Sequence, residues 1–422
     1  MKKTNALDRQ RAVYVAGAAG LRQLIPFDPQ ALEQRAKAVM TAEAFGYVAG
    51  AAGLEHTMQA NRTGFDRWHI LPRMLRNVEE RDTSVDFFGQ KIPAPFFLAP
   101  IGVLEMAHPD ADLAVARAAA SRGIPYVFSN QASVPMEQCS GLMGQTPRFF
   151  QLYWSRSDEL VAHFLQRAEA CGCSAIVVTL DTTMLGWRIR DLDLASLPFL
   201  KGMGIAQYTS DPVFQRLLDE PDEAAAPKAT LTWDAVRTLI SANRHHPGGF
   251  WENLRSGRGL KAVRKFVQIY SRPNITWADL PFLRQHTRLP IILKGILHPD
   301  DARKALDYGV DGLYVSNHGG RQVDGSISAI EALPRVVEAA RDKVPVLFDS
   351  GVRGGADAFK ALALGAAAVG IGRPYCYALA LGGQAGVEEL LDNWTADFEL
   401  TMGLAGCRSV GEIKAAGTIE QI

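Results

Sequence analysis

Three things are scarce in this chain of 422 residues. The first is surplus charge: 45 Lys plus Arg balance 45 Asp plus Glu, which excludes the basic excess of a nucleic-acid or polyanion binder. The second is cysteine. Cys139, Cys171, Cys173, Cys376 and Cys407 form no CxxC and no Cys/His set at zinc spacing, so reduced thiols and no structural metal are expected. The third is unbroken apolar sequence. No charge-free run of about 18 apolar residues occurs, which argues against a spanning helix or membrane anchor. The opening MKKTNALDRQR makes a poor signal peptide, because Asp8, Arg9 and Arg11 precede a glycine-broken stretch from Val13 to Leu21. The cytoplasm is the expected compartment.

What is present is an alternation of short apolar runs with amphipathic segments, beginning near residue 95. The runs are FFLAP (96–100), IPYVFS (124–129), RFFQLY (148–153), AIVVTLD (175–181), PIILKG (290–295), GLYVSN (312–317), VPVLFDS (344–350) and AAVGIG (367–372). Helical spacing fills 111–121, 158–171, 300–308 and 356–364. Eight alternations predict an α/β fold, a (β/α)8 TIM barrel, over a doubly wound sheet, since no GxGxxG turn follows the first strand. The barrel is expected over 91–390, with a helical cap at 1–90, lacking strands, and a helical tail at 391–422. The gap between the fourth and fifth strands is too long for one βα connection, so 191–270 is read as an insertion. It combines DEPDEAAAPKA, the helical WDAVRTLISAN and a turn at HHPGG, and serves either as a lid on the catalytic face or as an oligomer contact.

In such a barrel the chemistry lies at the C-terminal strand ends. Those positions hold Gln151 and Tyr153, Thr179 and Asp181, Lys294, Ser316 and His318 followed by Arg321, Asp349 and Arg353, and Gly372 and Arg373. His318, in SNHGGRQVD, has the pKa range of a general base, and Asp181 on a nearby strand end is suited to orient it. Lys294 is either a Schiff-base nucleophile, as in an aldolase, or a fixed cation beside a developing anion. Arg188 and Arg321 are candidates for gripping a small carboxylate in a bidentate fork. The loops DSGVRGG and GIGRP lie where barrels commonly hold a phosphate.

The pieces AFGYVAGAAG, FFQLY, TLDT, LKGI, SNHGGRQ, FDSGVR, KALALGA and IGRP, in this order, resemble the FMN-dependent α-hydroxy acid oxidising family over nearly the whole chain. The resemblance implies bound FMN, its phosphate near Arg353, Gly372 and Arg373 and its ring near Ala99, Pro100, Ser129, Gln151 and Thr179, with Gly102 over the ring's edge and Lys294 as the cation beside it. Ile101, Ser316, Asp349, Ser350 and Gly351 are further implied cofactor-binding residues. It implies His318 as the base toward the substrate hydroxyl and Asp181 as the partner of the imidazolium. Tyr153 would hold the hydroxyl, and Tyr47, Arg188 and Arg321 the carboxylate. The implied partners are a small 2-hydroxy acid and O2, and the implied assembly is a homotetramer or octamer. Within the family, the insertion and the wording APIGV and MLGWRIRDLD point to oxidative decarboxylation of L-lactate to acetate. Gly102 stands where oxidases of the family often carry alanine, and Gln131 where an aromatic residue faces substrate in the plant-type pattern. An oxidase releasing pyruvate and peroxide, or a quinone-linked dehydrogenase, would share the first half of the chemistry.

Overall fold

The computed structural model describes residues 5–220, 232–415 and 417–421, and in it eight parallel strands close into a barrel. They are β1 (Phe96–Leu98), β2 (Tyr126–Phe128), β3 (Arg148–Leu152), β4 (Ala175–Thr179), β5 (Ile291–Lys294), β6 (Gly312–Val315), β7 (Val346–Phe348) and β8 (Ala368–Ile371). Closure is made by β8 pairing with β1, Val369 opposite Phe96. The (β/α)8 expectation holds, one strand for each apolar run. Every strand residue except Arg148 is buried, because helices cover the outer face and side chains fill the inside. That double burial is why the strands read as continuous apolar runs. The covering helices are α1 (Ala111–Arg122), α2 (Met136–Met143), α3 (Asp158–Ala170), α4 (Leu280–His286), α5 (Pro299–Asp307), α6 (Ala329–Ala340), α7 (Gly355–Ala363) and α8 (Arg373–Leu404).

Residues two apart on a strand share a face. Phe97, Val127, Phe149, Val177, Ile292, Tyr314, Leu347 and Ala368 form one apolar layer inside the barrel. Two residues further along the same eight strands stand Ala99, Ser129, Gln151, Thr179, Lys294, Ser316, Asp349 and Gly370. The pleat therefore sets a mostly polar layer directly above an apolar one, at the C-terminal mouth. Below, a hairpin plugs the barrel: the strand Val85–Phe87 pairs with Gln90–Ile92, and Phe87 stacks on Phe149 with centroids 5.0 Å apart.

The first 90 residues contain four helices, Ala6–Ala18, Pro29–Val39, Ala42–Ala49 and His56–Thr63. They also hold the strand Trp68–Ile70 and the start of the plugging hairpin, where no strand was expected. These strands are three residues long, too short to display an alternation. Nor does the chain change character at 390: α8 runs through that point, and the terminal strand Ile419–Gln421 returns to pair with Trp68–Ile70. Among the described residues no helix is long and apolar enough to cross a membrane.

Between β4 and β5 the insertion is helical, chiefly Trp233–His245, Phe250–Ser256 and Arg258–Ile269, with no strand among its described residues. Residues 221–231, most of the alanine-rich piece, lie outside the described residues. The insertion is docked by a buried polar anchor. Arg167 of α3 donates to Asp211 Oδ2 at 3.0 Å and to the Gln207 carbonyl at 2.6 Å, while its Nε reaches Glu137 Oε1 at 2.8 Å. The Asp211 side chain is fully buried: Oδ2 meets this cation and His163, 2.7 Å away, while Oδ1 accepts from the amides of Val213 and Phe214. Arg167→Met is expected to cost about 3–5 kcal/mol by stranding that carboxylate, read as a lowered urea midpoint. Faster amide exchange within 198–217 is the accompanying signature.

Candidate active site

The polar layer and the loops above it line a cavity that is partly open to solvent. His318 hangs into it from the loop after β6. Its φ of 58° lies in the left-handed region, unusual for a residue with a side chain, and Gly319 and Gly320 continue the turn at 64° and 79°. Ser316 Oγ accepts from the His318 amide at 3.1 Å and thereby holds the turn. The imidazole Nδ1 lies 2.9 Å from Asp181 Oδ1, so Nδ1–H donates to the carboxylate and the Nε2 lone pair stays free. Thr182 Oγ1 donates to the same oxygen at 2.9 Å.

Burial pulls the His318 pKa below the ordinary imidazole value, and although Asp181 opposes this, Lys294 and Arg188 add to it, so the ring is neutral at pH 7. For Asp181, burial pushes upward, but His318 and Lys294 outweigh it and hold the carboxyl well below the usual range. Lys294 Nζ donates to Ser316 Oγ at 3.0 Å and stands 4.0 Å from Asp181 and 3.9 Å from Asp349. Asp181 Oδ2 has no hydrogen-bond partner among the described residues.

Four arginines line the same cavity, and among the described residues none forms an ion pair. Arg321 donates to the carbonyls of Tyr47 and Gly50 and lies over the Tyr47 ring. Arg188 donates to the Arg321 carbonyl at 3.3 Å and to Gln322 Oε1 at 3.2 Å. Arg373 is held by the carbonyls of Val48, Gly319 and Gly50, sharing the last with Arg321, and Arg353 by its neighbour Val352. Burial pulls Arg321 down to about 9, aided by Arg188, and Arg353 to about 10, aided by Arg373. Four guanidiniums without a carboxylate partner call for anions. Arg353 and Arg373 suit a phosphate, and a side chain at Gly372 would meet no other atom within 4 Å, which leaves room for one. Arg188 and Arg321 suit a carboxylate. These residues fit FMN and a hydroxy acid together.

Most of the residues expected from the strand ends line this cavity: Tyr47, Ala99, Pro100, Ile101, Gly102, Tyr153 and Arg188, then Lys294, His318, Arg321, Asp349, Ser350, Gly351, Arg353, Gly372 and Arg373. Five others, Ser129, Gln151, Thr179, Asp181 and Ser316, are not in its wall but brace one another or residues that are. Gln151 Nε2 donates to Thr179 Oγ1 at 3.1 Å, its Oε1 accepts from Ser129 at 3.3 Å, Ser316 backs Lys294, and Asp181 backs His318. Among the lining residues not singled out from the sequence are Val48, Thr182, Phe199, Tyr270, Gly319, Val352 and Gly370, of which three carry large or polar side chains: Thr182, Phe199 and Tyr270. Thr182 adjoins Asp181 in TLDTT and was within reach of a motif reading, whereas the two aromatics arrive on the insertion, where no strand periodicity points inward. His245 is no turn residue but closes a helix, its Nε2 2.8 Å from Glu105.

A barrel carrying this paired charge and a carboxylate-held histidine defines a flavin-dependent oxidoreductase of small acids. Residues 36–420 match the FMN-dependent dehydrogenase family, and the chain belongs to it. It is 40% identical over 388 residues to the FMN-dependent alpha-hydroxy acid dehydrogenase qulF of Penicillium citrinum, covering 92% of this chain and 89% of that one. It is 38% identical over 382 residues to an L-lactate oxidase of Lysinibacillus sphaericus, covering 90% and 89%. A crystal structure of mandelate oxidase with (S)-4-hydroxymandelic acid superposes with a TM-score of 0.77 at 35% identity, over 94% of this chain and 99% of that one. The protein is thus an FMN-dependent α-hydroxy acid oxidising enzyme, and the aldolase reading of Lys294 is set aside. Arg353→Met is expected to weaken FMN retention by about 1.5–3 kcal/mol, the worth of a charge-assisted hydrogen bond. Fluorescence titration of apoprotein with FMN measures it.

Proposed function

We propose that the enzyme oxidises L-lactate with O2 to acetate, CO2 and water, with His318 as the base. The observation that carries the assignment of the base is the 2.9 Å contact of His318 Nδ1 with Asp181, which leaves Nε2 facing the cavity as an acceptor. Arg188 and Arg321 hold the substrate carboxylate, and Tyr153 and His318 meet the hydroxyl. His318 takes the hydroxyl proton, and Asp181, already anionic, stabilises the resulting imidazolium. FMN supplies the two-electron acceptor for the α-hydrogen and the site at which O2 is consumed. Lys294, held by Ser316 between two carboxylates, is a buried cation that would stabilise negative charge on a bound flavin. The base must be neutral in the free enzyme, so kcat/KM is expected to fall as pH drops through the His318 pKa and to level off above it. The inflection lies below 6.5, the value from which burial lowers the group. His318→Gln removes that limb and costs about a hundredfold to ten-thousandfold in kcat.

Decarboxylation rather than release of pyruvate and peroxide requires the two products of the first step to stay together. Two features support that outcome. The insertion places Phe199 and Tyr270 over the cavity, and Gly204 of the insertion donates to Glu105, in the loop that carries Gly102. A Cβ at Gly102 would stand 2.9 Å from the Gln131 carbonyl oxygen, so glycine permits the loops after β1 and β2 to close on each other. The second reading is an oxidase, favoured by the similarity to a lactate oxidase. Aerobic turnover of L-lactate without catalase separates them: acetate without accumulating peroxide supports decarboxylation, and equal pyruvate and peroxide overturn it. Gly102→Ala is expected to force these loops apart and raise the peroxide yield at least severalfold. Unchanged acetate-only turnover would remove Gly102 from the account.

A further inference from the structure

The geometry points to Phe199, on the insertion, as the residue that sets which 2-hydroxy acids the enzyme accepts; this rests on the reading above that Arg188 and Arg321 hold the carboxylate and His318 the hydroxyl. The α-carbon has four substituents, and that reading places three of them. The carboxylate meets the two arginines, the hydroxyl meets His318 and Tyr153, and the α-hydrogen would be turned to the FMN that accepts it. The fourth, the side chain of the acid, is left to the rest of the wall, whose larger side chains include Ile101, Gln131, Leu185, Phe199 and Tyr270; of these Phe199 is the aromatic ring in direct contact with Tyr47.

Phe199 cannot yield to a larger group. It is 3% exposed, sits in the short turn Pro198–Lys201 whose first residue is proline, and packs edge-on against Tyr47 at 6.4 Å. Behind it Phe266 approaches to 5.3 Å, and that ring in turn stacks on Tyr270 at 5.0 Å and meets Tyr208 edge-on at 4.9 Å. Phe266 and Tyr208 are fully buried. A buried ring in contact with two other rings of a close-packed cluster has little room to move aside. Phe199 therefore admits a methyl group and excludes a phenyl group.

The test compares wild type with Phe199→Ala and Phe199→Leu as FMN-loaded enzymes. One readout is the ratio of kcat/KM for (S)-mandelate over L-lactate. The other is the dissociation constant of phenylglyoxylate against pyruvate, followed by the change in flavin absorbance without turnover. Phe199→Ala is expected to raise both ratios by about tenfold or more, within the range that a few carbons are worth in an apolar pocket, with Phe199→Leu between. FMN content and the acidic limb of the pH profile equal to wild type show the site intact. Ratios unchanged in both variants, with lactate still oxidised, overturn the role of Phe199 alone. A wild-type protein that oxidises no 2-hydroxy acid overturns the underlying reading, and the inference with it.

Discussion

Five cations, Arg188, Lys294, Arg321, Arg353 and Arg373, face one cavity, and among the described residues the only carboxylates within 4.0 Å of any of them are Asp181 and Asp349, both beside Lys294. Like charges buried together repel and lose hydration, so the fold must hold them by other means. It uses carbonyl dipoles. The helix Ala42–Ala49 ends at the cavity, and the carbonyls of Tyr47, Val48 and Gly50 receive Arg321 and Arg373. The negative end of a helix thus takes the place of acidic side chains. Because these acceptors are neutral, the guanidiniums keep their charge for anions that arrive from outside. The N-terminal segment is accordingly part of the site, and only when it packs on the barrel is the charge in the mouth tolerable.

Much of this was legible in the amino-acid order because parallel strands buried on both faces leave a distinct trace. A run such as AIVVTLD (175–181) announces a strand, and the pleat then fixes which residues face inward: Val177 fills the interior and Thr179 reaches the mouth. The strand ends therefore yielded His318, Lys294 and the arginines directly. They did not separate residues that touch the cavity from those behind it, since Gln151 and Tyr153 share a face by spacing, yet only Tyr153 lines the space. Phe199 and Tyr270 were illegible for a different reason. Their inward orientation comes from the packing of the insertion around Phe266, a tertiary fact with no period along the chain.

The insertion and the barrel are joined by contacts of several kinds. Arg167 and Asp211 form a buried ion pair, Tyr208 OH donates to Asn130 Oδ1 at 3.1 Å, and Glu105 accepts from Gly204 at 3.0 Å while pairing with His245. The aromatic cluster adds apolar area between them. The same contacts shape the pocket above His318 and Lys294, where burial of the surrounding groups makes each fixed charge act more strongly on its neighbours.

The hairpin beneath the barrel bears on traffic. Phe87 and Phe88 pack on Phe97 and Phe149, sealing the lower end behind a full layer of apolar side chains. The barrel is a vessel with a single neck. The acid and its product pass the same rim, to which the insertion contributes Phe199 and Tyr270 and the loop after β6 contributes Arg321, so entry of one is coupled to departure of the other. The order of events in a turnover is then set partly by queueing at that neck, a property of the closed floor as much as of the groups that perform the chemistry.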